Sequence, residues 1–159
     1  MKRHSPEQLL AQLADRLAIA ELNACFAHCL DAQQYDDLAG LVTADVDYRS
    51  GPRTLAGADA VVAFFKHRAA HTAPRTIRHM QSGLRLAFSA DGLHATGLSV
   101  VVSYAAHAPA PADQIAPFMV ADFADVYLRS DDGLWRISQR IITPVLQNPE
   151  LAPQTLSSS

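Results

Sequence analysis

The 159-residue sequence has no apolar run approaching the roughly 20 residues that a membrane-crossing helix needs, so a spanning helix is excluded. It has no block of lysine and arginine and no basic–aromatic stripe. Its net charge is −3 with both signs mixed, which excludes nucleic acid as the main partner. Met1 to Glu7 lead into a charged helical pattern and not into an apolar leader, so the expectation is a soluble, cytoplasmic protein. Cysteine is scarce: Cys25 and Cys29 stand four apart in one predicted helix. That is too few for a zinc site, and a bridge within one helix is geometrically poor. They read as small buried hydrophobes. Repeats and low-complexity segments are absent as well. One domain is expected over residues 1–146, with 147–159 as a loosely ordered tail.

What is present is apolar. Hydrophobic residues make up 49% and charged ones 18%, a balance that folds. Ser5-Pro6 predicts a helix start, with Ser as cap and Pro in the first turn. Leu10, Leu13 and Leu17 keep a core-facing spacing in that helix. Ala20, Ala24, Ala27 and Asp31 share one face, so small residues lead up to a carboxylate, as a pocket wall or a close helix contact requires. Leu38, Leu41 and Val42 mark a short second helix, Asp45 to Tyr48 a short strand, and Ser50 to Arg53 a turn. A third helix opens at Gly57, with Val61, Val62, Phe64 and Phe65 on its apolar side. His67, Arg68 and His71 near its end suit the C-terminal dipole. His67 and His71 have a metal-compatible spacing, but no third ligand stands nearby, so no metal is expected.

After Pro74 the pattern changes to strands near 76–88, 94–104, 117–129 and 134–142, with Asp91-Gly92 and Asp132-Gly133 as hairpin turns. Leu98 to Tyr104 is nearly continuous and apolar, so core should cover one face and a second subunit the other. The Ala/Pro-rich stretch Ala105 to Asp113 is either a lid or an irregular connection. Helices followed by a meander predict an α+β fold: a curved antiparallel sheet wrapped around the N-terminal helices, leaving an apolar cone.

Two polar residues interrupt apolar elements. Asp31 ends the helical segment Cys25 to Leu30, and His79 sits in the strand that starts at Thr76. If the fold joins them, they form a carboxylate–imidazole dyad suited to proton abstraction. The alternatives are a helix-end Asp31 paired with Arg140 or Arg78, and a His79 that is only a buried hydrogen-bonder.

The order of Leu30-Asp31, Tyr35-Asp36, Asp45-Val46-Asp47-Tyr48, Gly57 to Val61, Thr76 to His79 and Asp132 to Ile137 resembles the nuclear-transport-factor-2-like superfamily, and within it the SnoaL-like branch. The resemblance spans roughly residues 10–145. That branch includes polyketide cyclases, scytalone dehydratase and hexachlorocyclohexane dehydrochlorinase. Similarity to the dehydrochlorinase rests on Ile19, Leu22 and Asp31, on Thr76-Ile77 with His79 and Leu84-Arg85-Leu86, and on Trp135 to Arg140. It implies that Asp31 and His79 are a catalytic dyad with Arg140 as a polar partner. Its helical lysine has no cationic counterpart among Cys25, Phe26 and Ala27, and Gly83 replaces its asparagine. These departures count against chloride elimination and leave proton transfer open.

The resemblance thus implies a cofactor-independent lyase or isomerase, of dehydratase or cyclase type, for a small apolar cyclic compound. Tyr35, Tyr48 and Arg140 are candidates to hold a developing oxyanion. Phe26 and Phe64 are candidate pocket walls. Arg140 is equally able to pair with Asp122 or Asp125, and Trp135 and Tyr127 read as core. A homo-oligomer, dimer or trimer, is expected. The other readings are the non-catalytic small subunit of an aromatic-ring hydroxylase and a small-molecule-binding domain.

Overall fold

The computed structural model describes residues 5–113 and 115–154. Helix α1 spans Pro6–Asp31. Ser5 Oγ accepts the Gln8 N–H at 3.2 Å, and Gln8 Oε1 accepts the Ser5 N–H at 2.8 Å. This reciprocal box satisfies donors that a first helical turn leaves free. A 3-10 helix, Tyr35–Gly40, replaces the expected second helix, and β1 (Val42–Ser50) begins two residues later. Then come β2 (Arg53–Ala56) and α2 (Ala58–His71). Four strands follow, β3 (Thr76–Phe88), β4 (His94–Ala106), β5 (Pro117–Arg129) and β6 (Trp135–Gln147), and then a 3-10 turn, Pro149–Leu151.

The sheet order is β2-β1-β6-β5-β4-β3. From β3 to β6 it is the expected antiparallel meander. Two features depart from expectation. Ser50 to Arg53 leads directly into β2, which folds back onto β1. β1 also pairs with β6 in parallel, with Tyr48 opposite Arg140. The sheet is therefore mixed, and this pairing sets both side chains at the same level of the site.

Register slips leave an extra residue in β3 between Ser82 and Arg85, in β5 at Phe118, and in β6 at Ser138 and Val145. Each is a bulge that bends its strand. Gly83 supplies the first with φ 65°, a left-handed conformation that glycine adopts without steric cost. The bent sheet curls round the C-terminal half of α1, where Ile19, Leu22, Phe26 and Cys29 are buried against Val46, Val101, Phe123 and Ile137. Gly97 on β4 lets the Tyr127 ring lie close, since a Cβ there would stand 2.8 Å from Tyr127 Cε2. Both cysteines are free.

The first half of α1 corrects one expectation. Leu10, Leu13 and Leu17 do face one way, but they are 67%, 61% and 71% exposed. The sheet curls only over the second half of the helix, so nothing among the described residues covers that stripe. On β4, Ser99, Val101 and Ser103 point into the core, while Leu98 and Val100 remain exposed on the outer face. The second cover expected for this strand is not supplied by the described residues.

Residues 147–154, expected to be loosely held, are docked. Asn148 N–H donates to the Phe118 carbonyl at 2.8 Å, and Leu151 is buried with Ala105 and Phe118. Residues 155–159 lie outside the described residues. No helix among the described residues is long and apolar enough to cross a membrane.

Candidate active site

Asp31 is the last residue of α1, and His79 lies on β3, an edge strand of the sheet. An edge strand has backbone N–H groups with no neighbouring strand to accept them. Asp31 takes one: its Oδ2 accepts the His79 backbone N–H at 3.1 Å. Its Oδ1 lies 2.6 Å from His79 Nδ1. The carboxylate therefore grips both backbone and ring, so the imidazole is held in place and in orientation. The side chains of His79 and Asp31 are 15% and 11% exposed. Asp31 meets neither Arg140 nor Arg78; the latter donates to the Ile77 carbonyl.

Two hollows meet at this pair. The first is a cavity of about 520 Å³ whose walls include Phe26, Tyr48, Phe64, Phe65, Phe118, Phe123, His79 and Arg140. That volume is within the range of small-molecule sites. The second, about 540 Å³, is bordered by Ala20, Ala24, Ala27, Asp31 and Gly83. The small-residue face of α1 thus does leave space beside the carboxylate. Asn23, Ala27, His79 and Gln81 border both hollows. None of residues 107–113 or 115–116 borders either one, so the Ala/Pro-rich stretch is a connection and not a lid. Thr76 Oγ1 ties it down through the Ala108 carbonyl at 2.7 Å.

Arg140 stands in the cavity wall at the centre of a buried polar network. Its Nε and Nη2 donate to Asp125 Oδ1 and Oδ2, each at 2.9 Å. Nη2 also donates to Asn23 Oδ1. Tyr127 Oη donates to Asp125 at 2.8 Å and accepts from Asn23 Nδ2 at 2.9 Å. The partner of Arg140 is thus Asp125, while Asp122 is exposed. The guanidinium carbon lies 4.6 Å from the Phe26 ring centre and 5.1 Å from that of Phe123. Burial opposes the Arg140 charge, but the adjacent Asp125 carboxylate outweighs it and holds the guanidinium pKa above its ordinary value. Burial, reinforced by Asp125, raises Tyr127.

Tyr48 is buried beside Phe26, with ring centres 6.3 Å apart, and burial raises its hydroxyl pKa, so it stays a donor. Its hydroxyl makes no hydrogen bond among the described residues. Tyr35 is elsewhere: its ring stacks on Phe65 at 6.0 Å and does not border the cavity. Phe64 borders the cavity and packs edge-on against Phe65.

Sequence reasoning missed Asn23 and the polar role of Tyr127, and left Asp125 as one of two candidate partners of Arg140. Signals existed: Asp125 shares the inward register of Phe123 and Tyr127, and Asn23 interrupts an apolar stretch of α1. It also missed the inward turn of Arg68 and Arg75, which border the cavity as well. Burial lowers the pKa of both, that of Arg75 to about 10. Among the described residues no three His, Cys, Asp or Glu side chains gather closely enough to hold a metal ion.

The same architecture occurs in solved structures. LinA superposes with a TM-score of 0.73 at 22% identity, covering 94% of this chain and 95% of its own. A scytalone dehydratase-like protein from Novosphingobium aromaticivorans gives 0.72 at 16% identity, covering 93% and 97%. ActVI-ORFA from Streptomyces coelicolor gives 0.72 at 18%, covering 83% and 98%. At these identities the likeness is one of fold. No curated protein matches the sequence. The SnoaL-like domain, however, matches residues 11–141, from the first half of α1 to one residue past Arg140. That span takes in both halves of the dyad and the curved sheet behind it, and the chain belongs to the SnoaL-like family.

Proposed function

We propose that the protein is a cofactor-independent lyase or isomerase, of dehydratase or cyclase type, acting on a small, largely apolar cyclic compound. The observation that carries this reading is the two-pronged grip of Asp31 on His79 at the edge of an apolar cavity. An ionised carboxylate only accepts, so the ring proton sits on Nδ1 and the lone pair on Nε2. Nε2 makes no hydrogen bond among the described residues. In this reading Nε2 takes a proton from carbon next to a carbonyl or a leaving group. The C–H electron pair becomes an enolate or a new double bond, and the imidazolium returns the proton to the departing hydroxyl or to another carbon. Asp31 stabilises that imidazolium. The free hydroxyl of Tyr48 and the Nη1 of Arg140 are the donors for the developing oxyanion.

The test is turnover of a panel of cyclic β-hydroxy-ketones, followed by the absorbance of the conjugated product, with a thermal melt of each variant. His79→Ala should lower turnover by about 10²–10⁴-fold with the fold retained. Asp31→Asn should cost nearly as much, because the amide favours the wrong tautomer. The double variant should be little worse, since residues that act as a unit are not additive. Folded variants with parental turnover would remove His79 as the base.

The same reading includes a homo-oligomer. Exposed Leu98 and Val100 on the outer face of β4 and the uncovered leucines of α1 support it. Light scattering that shows only monomer at micromolar concentration would count against it.

A further inference from the structure

The end of α2 and the residues after it bring Arg68 and Arg75 into the wall of the first, aromatic-lined cavity. Neither has a carboxylate partner among the described residues. Arg68 lies 4.8 Å over the Phe65 ring and 5.5 Å over that of Phe64, and its side chain makes no hydrogen bond there. Arg75 lies 4.5 Å over Phe118 and donates one bond, from Nη2 to the Leu151 carbonyl at 2.5 Å; its Nε is buried with no partner. Arg53, at the same wall, covers Phe64 at 4.4 Å and likewise lacks an acid.

Arg68 and Arg75 are half-buried and Arg53 is exposed, so the cost falls on the donors that turn inward, above all the enclosed Nε of Arg75. Aromatic faces offset part of the cost of the charge, but they do not satisfy the N–H donors. The like charges also work against one another: after burial, Arg68 is the next influence that lowers Arg75. A chain that keeps such a cluster against an otherwise aromatic wall has left room for an anion. A guanidinium fork matches the two oxygens of a carboxylate, and bonds of this kind are stronger than neutral ones.

We propose that Arg68 and Arg75 form an anion-binding subsite of the cavity that receives the carboxylate of an aromatic or polycyclic acid, with the rings of Phe64, Phe65 and Phe118 against its apolar body. This deepens the function proposed above, on which it rests, by making the substrate an acid.

The experiment is isothermal titration calorimetry of the full chain at pH 7 with 2-naphthoate and with its neutral isostere 2-naphthamide. The expected result is naphthoate binding about tenfold tighter or more, in line with charge-assisted hydrogen bonds. Arg68→Met with Arg75→Met should abolish that preference while leaving the affinity for the amide within a few fold. If the double variant fails to fold, the single Arg68→Gln is read in the same way. Equal affinities for acid and amide, absence of binding by both at millimolar concentration, or a preference that survives the substitutions would each overturn the proposal. Calorimetry reads binding without turnover. Loss of the His79 base therefore leaves this result standing, and a failed anion subsite leaves the dyad standing.

Discussion

Arg140 and Arg68 border the same cavity and both lie over aromatic rings, yet their charges are treated in opposite ways. Arg140 meets Asp125 through two bonds and Asn23 through another. Arg68 lies over Phe64 and Phe65 and has no hydrogen-bond acceptor for its side chain among the described residues. The carboxylate keeps the first guanidinium firmly charged, whereas burial lowers the pKa of the second. A buried charge beside its carboxylate is fixed in place by the pair. A half-buried charge without an acid beside it is held in place by the packing of its neighbours. Arg140 is buried and Arg68 half-buried, but the larger difference lies in what the donors find.

The sharpest way to break the comparison is to make Arg140 like Arg68. Asp125→Ala leaves a fully enclosed guanidinium with Asn23 as its sole side-chain acceptor. It should cost about 3–5 kcal/mol of folding stability, as removal of one partner from a buried pair does. Urea denaturation would show it as a lower midpoint with the slope kept. A loss under about 1 kcal/mol would mean that Arg140 finds water or another acceptor. Tyr127→Phe is the milder form. It deletes one hydroxyl that both gives and receives, and it leaves Asn23 Nδ2 with only the Ile19 carbonyl. About 1–2 kcal/mol is expected, measured in the same denaturant series.

This contrast also shows which parts of the molecule were legible in the sequence. The limits of β3 and β5 follow from alternation bounded by turns, because a strand with one buried face writes that face into every second residue. β2 is not legible: its four residues are mostly exposed and leave no alternation to read. The parallel pairing of β1 with β6 joins residues some ninety positions apart, and no local pattern encodes it. The leucines of α1 were read correctly as a stripe and wrongly as core, since periodicity names a face and not its cover. Asp31 and His79 stood out because each is polar inside an apolar element. Arg68 did not, because a cation in the last turn of a helix already has an adequate explanation in the dipole. Its inward turn is a fact of packing against Phe64 and Phe65.

Arg68→Met sharpens the comparison from the other side. Replacing a half-buried cation that has no acid partner among the described residues with an apolar chain of similar length removes a desolvation cost and keeps contact with the two rings. The expected effect is a gain of up to about 1 kcal/mol, opposite in sign to the loss from Asp125→Ala. A thermal melt without ligand reads it. A clear destabilisation would place Arg68 among the scaffold residues and put it on the same footing as Arg140.

The smallest effect is expected where an aspartate–arginine pair has the same two-pronged geometry in water. Arg136 donates Nη1 to Asp132 Oδ1 at 3.0 Å and Nη2 to Oδ2 at 2.7 Å, on the last hairpin. The Arg136 bonds, helped by the Leu134 N–H, lower the Asp132 pKa from 3.8 to about 2. A carboxylate whose pKa falls on folding adds stability above its unfolded value. That stability is lost as pH falls through the folded value. The contribution of Asp132 should therefore be present at pH 5 and above, shrink between about 4 and 2, and vanish below that. Asp132→Asn should leave a stability–pH curve that lies slightly under the parent at neutral pH and merges with it in acid. Exposed pairs are weak, and at about 1 M salt, where screening acts within roughly 3 Å, the gap should close at all pH values. A gap that persists in salt would show that the pair acts through the hairpin turn, by way of the Leu134 N–H bond to Asp132 Oδ1 at 3.0 Å, and not through its charges.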